Sequence, residues 1–401
     1  MKKLIQNYKK QLTLVKNLVN RKFYNDFKMN HRFIGIVGAR GVGKTTFLLN
    51  YLKSNYLDNE KALYVSADNL YFAENNLVDL VDQFIKIYGG EILCIDEIHK
   101  YKNWNQELKN IYDLYPGFKI IFSGSSSINL IKGKYDLSRR VILKKMSGFS
   151  FLEYLEFQTK LKFKPLTLDE LISNKNFNQI SETEKILGHF KNYLKQGYYP
   201  TFIEITDLRA YQETLINILD KNIFEDISSF YSLKTQNLDI LRKIIYFFAT
   251  SDPGSININK LASSLGKDHT TISGYIQILK DIEILIFLLN DKYGHSLVRN
   301  AEKIYLSNTN LLYAINNAIG KQVNIGLARE IFVISSLENA GYDVFYSKVG
   351  DIVCNDYIFE IGGANKTKKQ IKDVKNSFLV KDDVLYKAGR DIPIFMFGFL
   401  G

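Results

Sequence analysis

Apolar residues in the first third of the chain gather in short blocks. Phe33 to Val37, Ala62 to Ala67, Ile92 to Ile95, Phe118 to Phe122 and Val141 to Leu143 are runs of this kind, and Trp104 to Leu114 between two of them has helical spacing. A strand that is apolar on both sides needs cover on both faces, so residues 31–147 predict an α/β domain, a parallel sheet with helices on both faces. Ahead of it, Leu4, Tyr8, Leu12, Val15 and Val19 recur at helical spacing and predict one amphipathic helix within residues 1–30. Residues 148–238 read as a helical lid or connector, broken by Pro165 and Pro200. Over 239–310 the pattern gives a short helix from Ile256 to Leu265 and a turn at Gly266-Lys267-Asp268 in which Asp268 caps the next element. A second helix follows from His269 to Ile282, with Ile272, Tyr275, Ile276 and Leu279 on one face, and then two strands, Ile284 to Leu289 and Ile304 to Leu306. The last stretch, 311–401, has a helix carrying Leu327, Ile331 and Ile334 on one face and a strand closed by Phe359-Glu360-Ile361.

The first apolar block runs directly into Gly38-Ala39-Arg40-Gly41-Val42-Gly43-Lys44-Thr45-Thr46, a G-x-x-x-x-G-K-T motif between strand and helix. Glycines at these spacings let backbone N–H groups close around phosphates; Lys44 reaches the β and γ oxygens, and the Thr45 hydroxyl ligates Mg²⁺ at a helix N-terminus. ATP and Mg²⁺ are therefore the expected ligands. Asp96, which lies 52 residues beyond Lys44, ends the third block and is followed by Glu97. This is the pattern of a Walker B strand, with Asp96 holding the metal and Glu97 activating water. Ser123 and Ser125, at the end of the fourth block, stand where a γ-phosphate sensor lies, or in an ordinary Ser/Gly turn. Arg139 and Arg140 precede the fifth block, as an arginine finger acting across subunits or as a solvated basic pair.

Composition changes this picture little. With 401 residues the chain is long for one core, and 46% hydrophobic with 24% charged residues is the range of folded proteins. The net charge of +11 fits either a nucleic-acid partner or a Lys-rich bias spread along the chain. Residues 1–30 hold eight Lys/Arg against one Asp, which suits a helix packed on the core by its apolar face or, alternatively, a membrane or nucleic-acid arm. Cys94 and Cys354 sit in apolar runs without metal-ligand spacing, so both read as reduced and buried. No apolar run approaches spanning length, and a cytoplasmic location without membrane contact is expected.

Taken together, GARGVGKT, ILCIDE, FSGSSS and DLSRRVILKKMSGFSFLEYL resemble the prokaryotic AAA-type P-loop ATPases whose core is followed by a Ser-Phe-x-Glu-Tyr segment, here Ser150 to Tyr154. The resemblance continues through Tyr193 to Pro200, Lys303 to Thr309 and Gly326 to Leu337. It implies a winged helix at 239–310, with Lys267, His269, Thr270 and Thr271 at the start of the recognition helix, reading DNA or docking a protein. It also implies a restriction-endonuclease-like domain at 311–401. There Glu330, Asp351 and Glu360 form a possible second site, but the lysine expected two residues after Glu360 is Gly362, leaving Lys366 or Lys368 to reach back. The expected function is Mg²⁺-dependent ATP hydrolysis that repositions the C-terminal region on DNA, in a homo-oligomer if the finger reading holds. An ATP-licensed nuclease and a nucleotide-gated docking protein are the competing readings.

Overall fold

The computed structural model describes residues 1–15, 21–56, 60–124, 137, 139–173, 178–227, 231, 233, 235–252, 257–290 and 301–401. These divide into two compact units, Met1–Gly148 and Phe149–Gly401.

In the first unit, strands β1 (Phe33–Val37), β2 (Ala62–Ser66), β3 (Ile92–Asp96), β4 (Lys119–Gly124) and β5 (Val141–Lys145) form one sheet in the order β2-β3-β4-β1-β5, every pair parallel. β1 and β3 are buried at every residue, as their apolar runs require. Gly35 leaves room on β1 for close neighbours, because a Cβ there would lie 2.6 Å from both Leu143 and Phe122. Helices α1 (Lys2–Leu14) and α3 (Lys44–Asn55) pack on this sheet, while α4 (Leu77–Tyr88) packs on α5 (Trp104–Leu114).

The single N-terminal helix expected from the apolar stripe is not what forms. α1 stops at Leu14, where Val15 turns extended, and a separate short helix, α2, covers Lys22–Asp26; Val19 lies outside the described residues. Leu4 and Tyr8 are buried against the core, so the basic residues decorate the outside of a packed helix.

The second unit begins with α6 (Phe151–Thr159), whose first turn is closed by a capping box between Ser150 and Glu153. The segment expected to form a lid is built into this unit: Phe151 packs edge-on against Phe399, and Leu166 bridges to Leu400. Helices α7 (Ile186–Lys195), α8 (Leu208–Lys221) and α9 (Thr235–Thr250) lead to α10 (Ile258–Ser264) and α11 (His269–Asp281), capped by Asp268. An antiparallel pair follows, β6 (Leu285–Leu289) with β7 (Ala301–Leu306). Helices α12 (Thr309–Ala318) and α13 (Ile325–Asn339) come next, and then a mixed sheet ordered β12-β11-β10-β9-β8. Its strands are β8 (Val344–Tyr346), β9 (Ile352–Cys354), β10 (Tyr357–Gly362), β11 (Ser377–Lys381) and β12 (Asp391–Pro393). Asn310, in the first turn of α12, ties that helix to the Tyr193–Pro200 segment: its amide donates to the Tyr193 and Leu194 carbonyls and its oxygen accepts from the Gly197 and Tyr198 N–H groups and the Tyr211 hydroxyl. Every polar capacity of this fully buried side chain is satisfied, as burial requires.

Candidate functional site

The nucleotide loop joins β1 to α3. Gly38, Gly41 and Gly43 all take positive φ, at 156°, 88° and 101°, and α3 starts at Lys44. A side chain at Gly38 would in addition meet the Met146 carbonyl at 2.1 Å, so only glycine fits between the loop and the end of β5. The Lys44 ammonium lies across the loop and donates to the Gly38 and Ala39 carbonyls at 2.8 and 2.9 Å. From the facing strand end, Asp96 Oδ2 accepts the Thr45 hydroxyl at 2.6 Å and the Tyr64 hydroxyl at 2.9 Å, and Oδ1 accepts the Ser123 hydroxyl. Burial, with the Asp96 charge beside it, pushes the Tyr64 phenol far up, so it stays a donor.

Thr45 and Asp96 thus meet although 51 residues separate them. Thr45 and Asp96 offer a hydroxyl and a carboxylate 2.6 Å apart, hard oxygen donors of the kind Mg²⁺ takes in ones and twos alongside water and phosphate. Glu97 follows with φ 51°, a left-handed turn that takes its side chain out of the strand's alternation. Its carboxylate Oε2 lies 3.2 Å from His99 Nε2, and its N–H donates to the Ser123 hydroxyl. Ser123 is fully buried with its hydroxyl spent on Asp96 and Glu97, so as placed it orders the Walker B strand end and is not turned to a phosphate. Ser125 lies outside the described residues. Arg140 forks onto Asp113, Nε to Oδ1 at 3.0 Å and a terminal nitrogen to Oδ2 at 3.1 Å, whereas Arg139 is exposed. Cys94 and Cys354 are both free and buried, and burial raises the Cys354 thiol to about 12.

Sequence reasoning passed over three residues of this site. Tyr64 and His99 carry no motif of their own. Arg21 was counted only as one of eight N-terminal cations, yet its guanidinium is buried and donates to the Val42 carbonyl in the loop and to the Ser147 and Gly148 carbonyls, each at 2.8 Å.

In the second unit, Glu330 on α13, Asp351 before β9 and Glu360 in β10 are drawn together by cations. Lys303 Nζ, from β7, lies 3.3 Å from Glu330 and 3.5 Å from Asp351, and the Tyr305 hydroxyl donates to Glu330. Lys366 does reach back: its ammonium is 2.6 Å from Glu360, and its stem passes where a side chain at Gly362 would stand, 2.6 Å from that ideal Cβ. Lys368 pairs instead with Asp391. Burial raises Glu330 and Glu360 above the usual carboxylate range, with Lys303 and Lys366 opposing it. Among the described residues no three His, Cys, Asp or Glu side chains converge as a metal would need. As placed, each of the three carboxylates has an ammonium or N–H partner, and Asp351 also accepts the Ile361 N–H at 2.8 Å.

Comparison with known proteins places these features. Residues 30–155 match the family model of an AAA domain, and residues 187–322 match a domain of unknown function, DUF8612. Two uncharacterized proteins of Methanocaldococcus jannaschii are similar over most of their length. MJ1637 is 26% identical over 387 residues, with 89% of this chain and 80% of the relative covered; MJ1544 is 26% identical over 354 residues, with 84% and 73% covered. Among solved structures, AMPPCP-bound DnaA from Aquifex aeolicus covers 65% of this chain and 85% of its own at 21% identity, with a TM-score of 0.26. The parallel sheet, the loop and the family match agree: the first unit carries an AAA-type P-loop domain.

Proposed function

We propose that the first unit binds ATP with Mg²⁺ and hydrolyses it. The observation that carries this is the 2.6 Å contact between Thr45 and Asp96, which brings the two halves of the motif to one point. Lys44 exchanges its loop carbonyls for the β and γ oxygens of ATP, Thr45 and Asp96 hold the metal, and Glu97 takes the proton of the attacking water. The metal, when bound, neutralises charge on the transferred phosphoryl group. Lys44→Ala should lose ATP binding in calorimetry. Glu97→Gln should bind ATP normally and turn it over ~10² to 10⁴ times more slowly, since that is what a positioned base contributes. Wild-type turnover by either variant would remove the assignment.

The second unit reads as a binding module whose position follows the nucleotide, with α10, α11 and the β6–β7 pair arranged as a winged helix that reads DNA or docks a protein; residues 149–401 carry no net charge, 29 Lys/Arg against 29 Asp/Glu. Lys366, 2.6 Å from Glu360, supplies the ammonium that Gly362 lacks, so metal-dependent cleavage stands as the alternative to binding alone. Supercoiled plasmid incubated with the protein, Mg²⁺ and ATP should stay uncut. Nicking that disappears in Asp351→Ala would favour the nuclease reading.

A further inference from the structure

The proton-accepting end of Glu97 has a neighbour that neither the motif nor the family match accounts for. His99 stands on the turn Ile98–Lys100 that directly follows Glu97, and its side chain is 2% exposed, unusual for an imidazole so close to a strand end open to substrate. Its Nε2 lies 3.2 Å from Glu97 Oε2. That oxygen is itself buried and, among the described residues, has no hydrogen bond of good geometry, although the Glu97 side chain as a whole is 20% exposed. The carboxylate is thus split: Oε2 faces inward to the imidazole, and Oε1 is left as the oxygen able to meet a water. A buried carboxylate oxygen without a donor costs free energy, and a ring N–H at this distance needs only a small rotation to supply one, as often happens when an active site closes on its substrate.

We propose that His99 is a positioning residue for ATP hydrolysis: by donating from Nε2 to Glu97 Oε2 it fixes the carboxylate with Oε1 turned to the attacking water. This rests on the ATPase reading above and adds to it the group that orients the base. The backbone enforces the arrangement from the other side. Glu97 is held in its left-handed turn, its N–H is tied to Ser123, and Ser123 is tied to Asp96, so what remains to place the carboxylate is the side-chain rotamer. His99 sets that rotamer.

The test is steady-state ATP hydrolysis and ATP affinity on the full chain, wild type against His99→Gln, His99→Met, Glu97→Gln and the His99→Met, Glu97→Gln double variant, with melting temperatures for each. Gln keeps an N–H donor at similar reach, and Met fills the buried volume without one. His99→Met should lower kcat about tenfold, well short of the ~10² to 10⁴ that the base itself contributes, with KM and ATP affinity within about twofold. His99→Gln should recover most of that loss. In the Glu97→Gln background His99→Met should cost nothing more, because the group it positions is gone. An unchanged or raised kcat in His99→Met, an equal loss in Met and Gln variants, or a loss that persists in the double variant overturns the proposal while leaving the ATPase reading intact. If His99→Met melts early, the Gln variant decides by itself: a rate near wild type supports the donor role and a rate as low as the Met variant refutes it. Wild-type protein that binds ATP without hydrolysing it, or Glu97→Gln as active as wild type, overturns both.

Discussion

Glu330 shows how a single buried acid can set a pH dependence. Burial is the largest influence on it and raises its carboxyl above the ordinary 4.5; Lys303 works against the rise, and Asp351 with it. A carboxyl raised in the folded state binds its proton more tightly there than in the unfolded chain, so its contribution to stability is full below about 4.5 and is lost as pH climbs through the raised value. Glu330→Gln removes that loss and keeps a polar partner for Tyr305, while Lys303 retains Asp351 at 3.5 Å. The variant should therefore gain on wild type as pH rises from about 4.5 through the raised value, and hold that gain above it. Melting curves at steps of pH check this. A difference that stays flat with pH, or a variant that loses stability at neutral pH, would show that the Lys303 pair outweighs the cost of burial.

At the scale of elements, the joint between the nucleotide loop and the end of β5 depends on Arg21. Its guanidinium fork satisfies Val42 in the loop and Ser147 and Gly148 beyond the last core strand, and the Met146 carbonyl packs against Gly38 in the same place. Arg21→Met should leave buried carbonyls without donors at ~1 to 3 kcal/mol each, lowering the melting temperature and weakening ATP binding because the loop loses a fixed point. Arg21→Lys keeps the charge but not the planar fork, and should fall between. An Arg21→Met protein that melts and binds ATP like wild type would contradict this. The same joint marks the limit of what could be read in advance. The loop and Walker B were legible because each is a contiguous run whose chemistry dictates its spacing, and the central strands β1 and β3 because a strand covered on both faces is mostly apolar; the edge strand β5, with no buried residue, shows only its apolar triplet. Arg21 was not, since its partners lie 21, 126 and 127 residues away and nothing in a Lys-rich N-terminus singles out one arginine. Asn310 hid for the same reason, because an asparagine that caps nothing in sequence gives no signal of the loop it holds. The end of the N-terminal helix is not legible because Val15 and Val19 keep the helical period in the sequence although the backbone turns extended at Val15, a tertiary decision that periodicity does not record. Lys366 was legible as a candidate only, and its reach to Glu360 depended on Gly362 leaving the space open.

For the molecule as a whole, the arrangement of the arginine pair assigns different work to its members. β5 is an edge strand of the core sheet, so the residues just before it lie at the sheet's margin, where a second copy could meet them. Arg140 is committed within its own chain to Asp113, and it lies near the Tyr112 ring; Arg139 is exposed. If the protein works as an assembly in which each copy completes the neighbour's site, Arg139 is the residue to reach across. Arg139→Ala should then be inactive in hydrolysis while still binding ATP, and Arg140→Ala should be close to wild type, because a partly exposed ion pair is worth about 1 kcal/mol or less. Lys44→Ala supplies an intact arginine and a dead loop; Arg139→Ala supplies the reverse. In a head-to-tail ring mixed at random in equal amounts, a working interface needs an Arg139→Ala loop facing a Lys44→Ala neighbour. That combination makes up roughly a quarter of all interfaces, so the mixture should recover up to roughly a quarter of the wild-type rate from two inactive proteins. Sedimentation of the mixture establishes that mixed assemblies form. A mixture that assembles yet stays inactive, or an Arg140→Ala protein that is the one complemented by Lys44→Ala, would take the role from Arg139 and leave it an ordinary solvated cation.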